Sequence, residues 1–139
     1  MEKFLIIDGN SLVNRAFYAL PLLNNNKGEY SNAVYGFINI LTKAIQEQKP
    51  KYLAVCFDYG RKTFRNQIFD QYKAKRKAMP TELAMQMPIL KQVLTTMNIK
   101  YFEKENIEAD DIIGALSKTK GVQKLLLSGA LNLLAQCLC

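Results

Sequence analysis

Histidine is absent from this 139-residue chain. Its absence excludes Ser-His and Cys-His nucleophilic catalysis, and histidine metal sites, within the chain. Chemistry is left to carboxylates, lysines, hydroxyls or a bound metal. Cysteine is scarce. Cys56 lies inside an apolar run, and Cys137 and Cys139 stand at the far end. That spacing gives neither a disulfide framework nor a zinc site, and Cys56 reads as a small core hydrophobe. No apolar run reaches membrane-spanning length, and the first residues lack the pattern of a secretory signal. A soluble cytoplasmic protein is the expectation. Repeats, low-complexity linkers and composition breaks are also missing, so residues 1–139 are read as a single domain, a length that supports its own core.

What is present divides into apolar strands, amphipathic helices and two charged regions. Residues 4–7 (FLII) form a short continuous apolar run, as does the stretch 52–57 (YLAVCF). Such runs suit strands covered on both faces, as in a parallel sheet. Ser11 or Asn10 is placed to cap a helix through Leu12, Arg15, Ala16 and Ala19. Ser31 or Asn32 can cap a second, whose stripe is Val34, Phe37, Leu41, Ala44 and Ile45. Pro50 helps end that helix. After Pro80 comes a stripe of Leu83, Met87, Leu90, Leu94 and Met97, which Pro88 should kink or split into two short helices. Residues 99–102 and 124–127 suggest further strands, with a turn at 118–121. The final residues, ALNLLAQCLC, show no period. The alternation of strands and helices implies an α/β fold with a mainly parallel sheet.

Ligand sites in such sheets lie beyond the carboxyl ends of the strands. Asp8 and Asp58 each follow an apolar strand run. A third acidic group, Glu108, Asp110 and Asp111, opens the segment NIEADDIIGAL, where Ile112, Ile113 and Leu116 share a helical face. At a helix start the free amides and the macrodipole favour negative charge. Glu108 and Asp111 are spaced to converge, with Asp110 on another side of the turn. Each acid taken singly also reads as a cap or turn residue. Gathered at one rim, however, carboxylates ~5 Å apart repel by roughly 3 kcal/mol at an effective dielectric of ~20. They would have to protonate, spread into water or bind cations. Oxygen-only sites suit Mg²⁺ or Mn²⁺, one or two ions, which support phosphodiester cleavage without histidine.

The net charge of +7 is concentrated. Between residues 61 and 79 stand Arg61, Lys62, Arg65, Lys73, Lys75, Arg76 and Lys77, opposed by Asp70 alone and interleaved with Phe64, Phe69 and Tyr72. A solvated charged helix usually mixes signs, whereas one-sided charge with aromatics suits phosphate contact and base stacking.

These pieces, in order, resemble the 5′-nuclease family: the N-terminal 5′→3′ exonuclease domain of bacterial DNA polymerase I and the related flap endonucleases. The resemblance rests on IIDGNSLVNRAFYALP, SNAVYGFINIL, AVCFDYGRKTFR, YKAKRKAMP and IEADDIIGAL. It implies a three-layer, Rossmann-like (PIN-like) fold and removal of nucleotides or flaps from DNA 5′ ends in replication and repair. It assigns Asp8, Asp58, Glu108, Asp110 and Asp111 to metal binding. It places Tyr72, Lys73 and Arg76 in an arch-like segment, 61–79, with Lys73 and Arg76 at the scissile phosphate and Tyr72 holding the substrate. Arg15 and Arg65 match further phosphate contacts. The pattern departs after the last strand, where the family carries Gly-Asp-x-Asp and this chain has Gly129-Ala130-Leu131-Asn132. The family also continues past Cys139, so the resemblance implies a C-terminally truncated domain. Without the two second-site aspartates, a catalytically inactive nucleic-acid-binding module is the alternative. A small-substrate phosphatase fits the concentrated positive charge poorly.

Overall fold

The computed structural model describes residues 2–63, 79–106, 108–128 and 134–137, with residues 59–63, 105–106, 110 and 134–137 described as backbone only. Arg65, Tyr72, Lys73 and Arg76 therefore lie outside the described residues, as do Ala130 and Asn132.

The chain alternates strands and helices as the apolar runs require. In order these are β1 (Lys3–Asp8), α1 (Gly9–Ala19), α2 (Asn32–Gln48), β2 (Tyr52–Cys56), β3 (Tyr59–Thr63), α3 (Thr81–Ala84), α4 (Gln86–Thr96), β4 (Tyr101–Phe102), β5 (Glu105–Asn106), α5 (Ala109–Leu116), β6 (Gln123–Leu127) and β7 (Leu134–Cys137). The main sheet has the order β4-β2-β1-β6-β7. Its first four strands are parallel, and β7 closes one edge antiparallel to β6. The chain steps outward from β1 to β2 and β4, then returns to the other side of β1 at β6. The β1–β6 boundary is thus the topological switch point, where open α/β sheets form their crevice. A small second sheet pairs β3 with β5. Neither it nor β7 is visible in the sequence pattern.

Strand alternation sorts the core into two layers. Leu5, Ile7, Val55, Phe57, Leu125 and Leu127 pack with α1, α2, α3 and α4. Ile6 and Cys56, with Phe4 and Leu126, meet α5 through Ala109, Ile112, Ile113 and Leu116. The result is a three-layer sandwich with helices on both faces of the sheet.

Helix caps differ from expectation, and the reason lies in tertiary contacts. Asp8, the last residue of β1, is the N-cap of α1, and its Oδ1 accepts the Ser11 N–H at 3.2 Å. The helix starts at once, so neither Asn10 nor Ser11 occupies the cap position. Ser31 stands at the N-cap of α2 but makes no side-chain cap bond. Gln86 supplies it instead: its buried Oε1 accepts from Ala33 N (2.8 Å) and Val34 N (3.2 Å). Its Nε2 donates to Asn32 Oδ1 (3.0 Å) and the Glu82 carbonyl (2.9 Å), and Asn32 Nδ2 donates to the Phe17 carbonyl (3.0 Å). Gln86 thus joins α3 and α4 to the start of α2, and Asn32 extends the link to α1. The α3–α4 break at Met85 places Pro88 in the first turn of α4, where its missing N–H has no intrahelical partner to lose.

Gly9 opens α1 against the sheet with no room for a side chain. A Cβ there would lie 2.5 Å from Phe57 Cε1 and 2.9 Å from the Cys56 carbonyl oxygen.

Two outcomes are expected in urea denaturation. Gln86→Ala strands buried amides and a carbonyl and opens a cavity, so stability should fall by about 2–4 kcal/mol with little change in the denaturant slope. Gly9→Ala should lose about 1–3 kcal/mol through overpacking, because the Cys56 carbonyl is backbone and cannot swing aside.

Candidate metal centre at the strand ends

The parallel register sets the site. Asp8 pairs with Cys56, two residues before Asp58, and Ile7 pairs with Leu127, one residue before Ser128. The ends of β1, β2 and β6 therefore reach one rim together, with Asp8 ending β1 and Asp58 and Ser128 just beyond the ends of its two neighbours.

The four residues Asp8-Gly9-Asn10-Ser11 hold this rim together. Asp8 caps α1, and Gly9 sits against the Phe57 ring. Asn10 Oδ1 accepts the Asp58 N–H at 2.8 Å, and Ser11 Oγ lies 3.2 Å from Ser128 Oγ. One turn at the end of β1 is in this way bonded to the ends of both neighbouring strands.

Asp58 passes the connection on. Its Oδ1 accepts the Ala109 N–H at 2.6 Å, a short bond from the first residue of α5. Glu108 is the N-cap of α5 and only 2% exposed. It forms a capping box with Asp111, whose Oδ2 accepts the Glu108 N–H at 3.3 Å. The expected convergence of Glu108 and Asp111 is thus observed, with Glu108 one position ahead of the first turn. Two helix N-termini face the acids, and their amide donors offset part of the carboxylate repulsion. Asp110 is placed in the first turn of α5, its side chain outside the described residues. Arg15 lies one turn beyond Ser11 on α1 and is half-buried.

The sequence reading missed the supports beneath these acids. Phe57, fully buried, packs against Phe37 (centroids 6.4 Å) and edge-on against Tyr101 (5.9 Å). Lys91 Nζ sits 5.6 Å from the Phe57 ring centre and pairs with Glu103 Oε2 at 2.7 Å. In the sequence, Asn10 reads only as a helix cap. The available signal was a run of polar residues after a strand of which only one could cap. Cys56, beneath Asp8, has its thiol pushed up to about 12 by burial and, secondly, by the Asp8 charge; it remains a neutral thiol at physiological pH and is a packing group, as expected.

The donors collected here, Asp8, Asp58, Glu108 and Asp111, are carboxylates only. Their hard oxygens are the type that Mg²⁺ and Mn²⁺ take. A carboxylate offers about four lone-pair sites, so accepting one amide hydrogen does not bar ligation. Among the described residues, no three acidic or cysteine side chains converge closely enough to hold an ion by themselves.

Known proteins give this rim its context. The family model for the 5′–3′ exonuclease N-terminal resolvase-like domain matches residues 3–134. DNA polymerase I of Bacillus subtilis is 49% identical over 118 residues, covering 85% of this chain and 13% of the relative. A 5′–3′ exonuclease of Aquifex aeolicus is 41% identical over 118 residues, covering 85% of this chain and 41% of the relative. The chain therefore spans less than half the length of these relatives. Among solved structures, the T5 D15 protein co-crystallised with metal ions superposes with a TM-score of 0.66 at 22% identity, covering 91% of this chain and 49% of that one. The bacteriophage T5 D15 flap endonuclease in complex with DNA and metal ions gives a TM-score of 0.55 at 20% identity, covering 90% and 55%. At these identities the structural likeness concerns the fold, and it agrees with the three-layer architecture. With the family model spanning nearly its whole length, the chain belongs to the 5′–3′ exonuclease family, as its N-terminal resolvase-like domain.

Proposed function

We propose that this chain is the nuclease domain of a metal-dependent 5′→3′ exonuclease or flap endonuclease that acts on DNA 5′ ends in replication and repair. The observation that carries the reading is the placing of Asp8 and Asp58 at neighbouring strand ends, with the Asp58 carboxylate bonded to the helix start that bears Glu108 and Asp111, in a chain of this family. Asp8, Asp58, Glu108, Asp110 and Asp111 would hold one or two Mg²⁺ or Mn²⁺ ions. Such ions supply activation of water and neutralisation of phosphate charge when bound. The chain's own groups do the rest. Helix N-terminal amides orient the carboxylates, and the basic segment 61–79 binds the strand. Lys73 and Arg76 are assigned to the scissile phosphate, Tyr72 to stacking, and Arg15 and Arg65 to flanking phosphates. The relatives' polymerase I context and the DNA-bound T5 flap endonuclease support DNA as the partner. Residues 1–139 would act as one domain in the cytoplasm.

A second reading, a nucleic-acid-binding module without catalysis, is favoured by one specific feature. Ala130 and Asn132 occupy positions where the family pattern has aspartates. Ala130 offers no side-chain donor, and the Asn132 amide is neutral.

A labelled 5′-flap DNA separates the two readings. Cleavage that needs Mg²⁺ or Mn²⁺, stops with chelator and falls to background in Asp110→Ala supports the nuclease. Metal-independent binding without cleavage supports the module. Restoring both acids, Ala130→Asp with Asn132→Asp, should raise cleavage sharply if the second site limits the rate. Lys73→Ala should weaken DNA binding and reduce the log-log salt slope by about 0.7–0.9; an unchanged slope would remove Lys73 from the phosphate contacts.

A further inference from the structure

We propose that Asn10 is a positioning residue for the metal centre, acting through Asp58. The inference rests on the metal-site reading above and adds a residue to it that is not a ligand. Asp58 lies between β2 and β3, outside both ladders. Two of its bonds tie it to distant segments. Its N–H is held by Asn10 Oδ1 at 2.8 Å, and its carboxylate Oδ1 takes the Ala109 N–H at 2.6 Å. Asn10, Asp58 and Ala109 form a relay across three chain segments that lie far apart in sequence. Its upstream end is rigid. Asn10 is in the first turn of α1, its carbonyl accepts from Asn14 Nδ2 at 2.8 Å, and its neighbours are pinned by the Phe57 ring and Ser128. Its downstream end is the α5 N-terminus, where Glu108 is buried and boxed with Asp111. A shift of the Asp58 backbone would therefore move its own carboxylate and loosen the start of α5, which carries the remaining acids. Side chains that orient ligands in this way typically alter metal affinity by about 10–100-fold when removed.

The side-chain chemistry defines the test. An acceptor oxygen is required at this distance, so Asn10→Ala removes the bond and Asn10→Asp keeps an acceptor in place. Two readouts are taken on each variant: native-state amide exchange at Asp58, Ala109 and Lys49, and Mn²⁺ affinity by calorimetry. Lys49 bonds to the Ile45 carbonyl at the far end of α2 and serves as a reference amide remote from the site. In Asn10→Ala, exchange at Asp58 and Ala109 should quicken by about 5–10-fold while Lys49 is unmoved, and Mn²⁺ should bind at least tenfold more weakly. Asn10→Asp should restore slow exchange at both amides. Unchanged exchange at Ala109, or acceleration that Lys49 shares equally, overturns the relay. So does local acceleration with wild-type Mn²⁺ affinity. If the wild-type protein takes up no Mn²⁺ while the local exchange pattern appears as expected, the positioning of Asp58 stands and the metal-site reading fails.

Discussion

Bonding between the turn after β1 and the ends of its two neighbours is the constraint on which this fold's chemistry rests. A parallel sheet aligns strand ends only to within the reach of its ladder, and the residues beyond the last pair are free to diverge. Here Asn10 captures the Asp58 amide and Ser11 meets Ser128, while the missing Cβ of Gly9 lets α1 settle onto the Phe57 ring. Three independent contacts from consecutive residues turn a loose edge into a fixed rim. Without them the acids would still lie near the same side of the sheet, but in no defined relation.

The electrostatic problem of gathering acids is addressed by placement. Asp8 uses an amide of α1, Asp58 uses the first amide of α5, and Glu108 and Asp111 cap that same helix together. Each carboxylate accordingly has a structural partner before any ligand arrives. The cap role and the ligand role, which look like alternatives when each acid is considered singly, coexist in one side chain.

Much of this was legible in the chain, and the limits have physical causes. Continuous apolar runs reveal β1, β2 and β6 because both faces of those strands are covered, and the strand-end positions of Asp8 and Asp58 follow directly. The division of the stretch after Pro80 into two helices, with the break at Met85 three residues before Pro88, and the pairing of Glu108 with Asp111 are local effects and equally readable. The pairing of β3 with β5 was not, since a two-residue strand carries no periodicity. Nor was β7, an edge strand in a stretch without alternation. The capping of α2 by Gln86 and the diversion of Asn10 to Asp58 depend on residues 53 and 48 positions away, and no window of sequence contains both partners. The basic residues Arg65, Tyr72, Lys73 and Arg76 stand on sequence grounds alone, outside the described structure.

The Gln86 contact also bears on how the molecule comes into being. The first turn of α2 has its amides satisfied by a side chain from α4, so a growing polypeptide that has emerged only as far as β2 holds an incomplete helix start and an unfilled core. Loop closure over that distance must precede the reward. The start of α2, and the helix layer on that face of the sheet, is therefore complete only when α4 is in place.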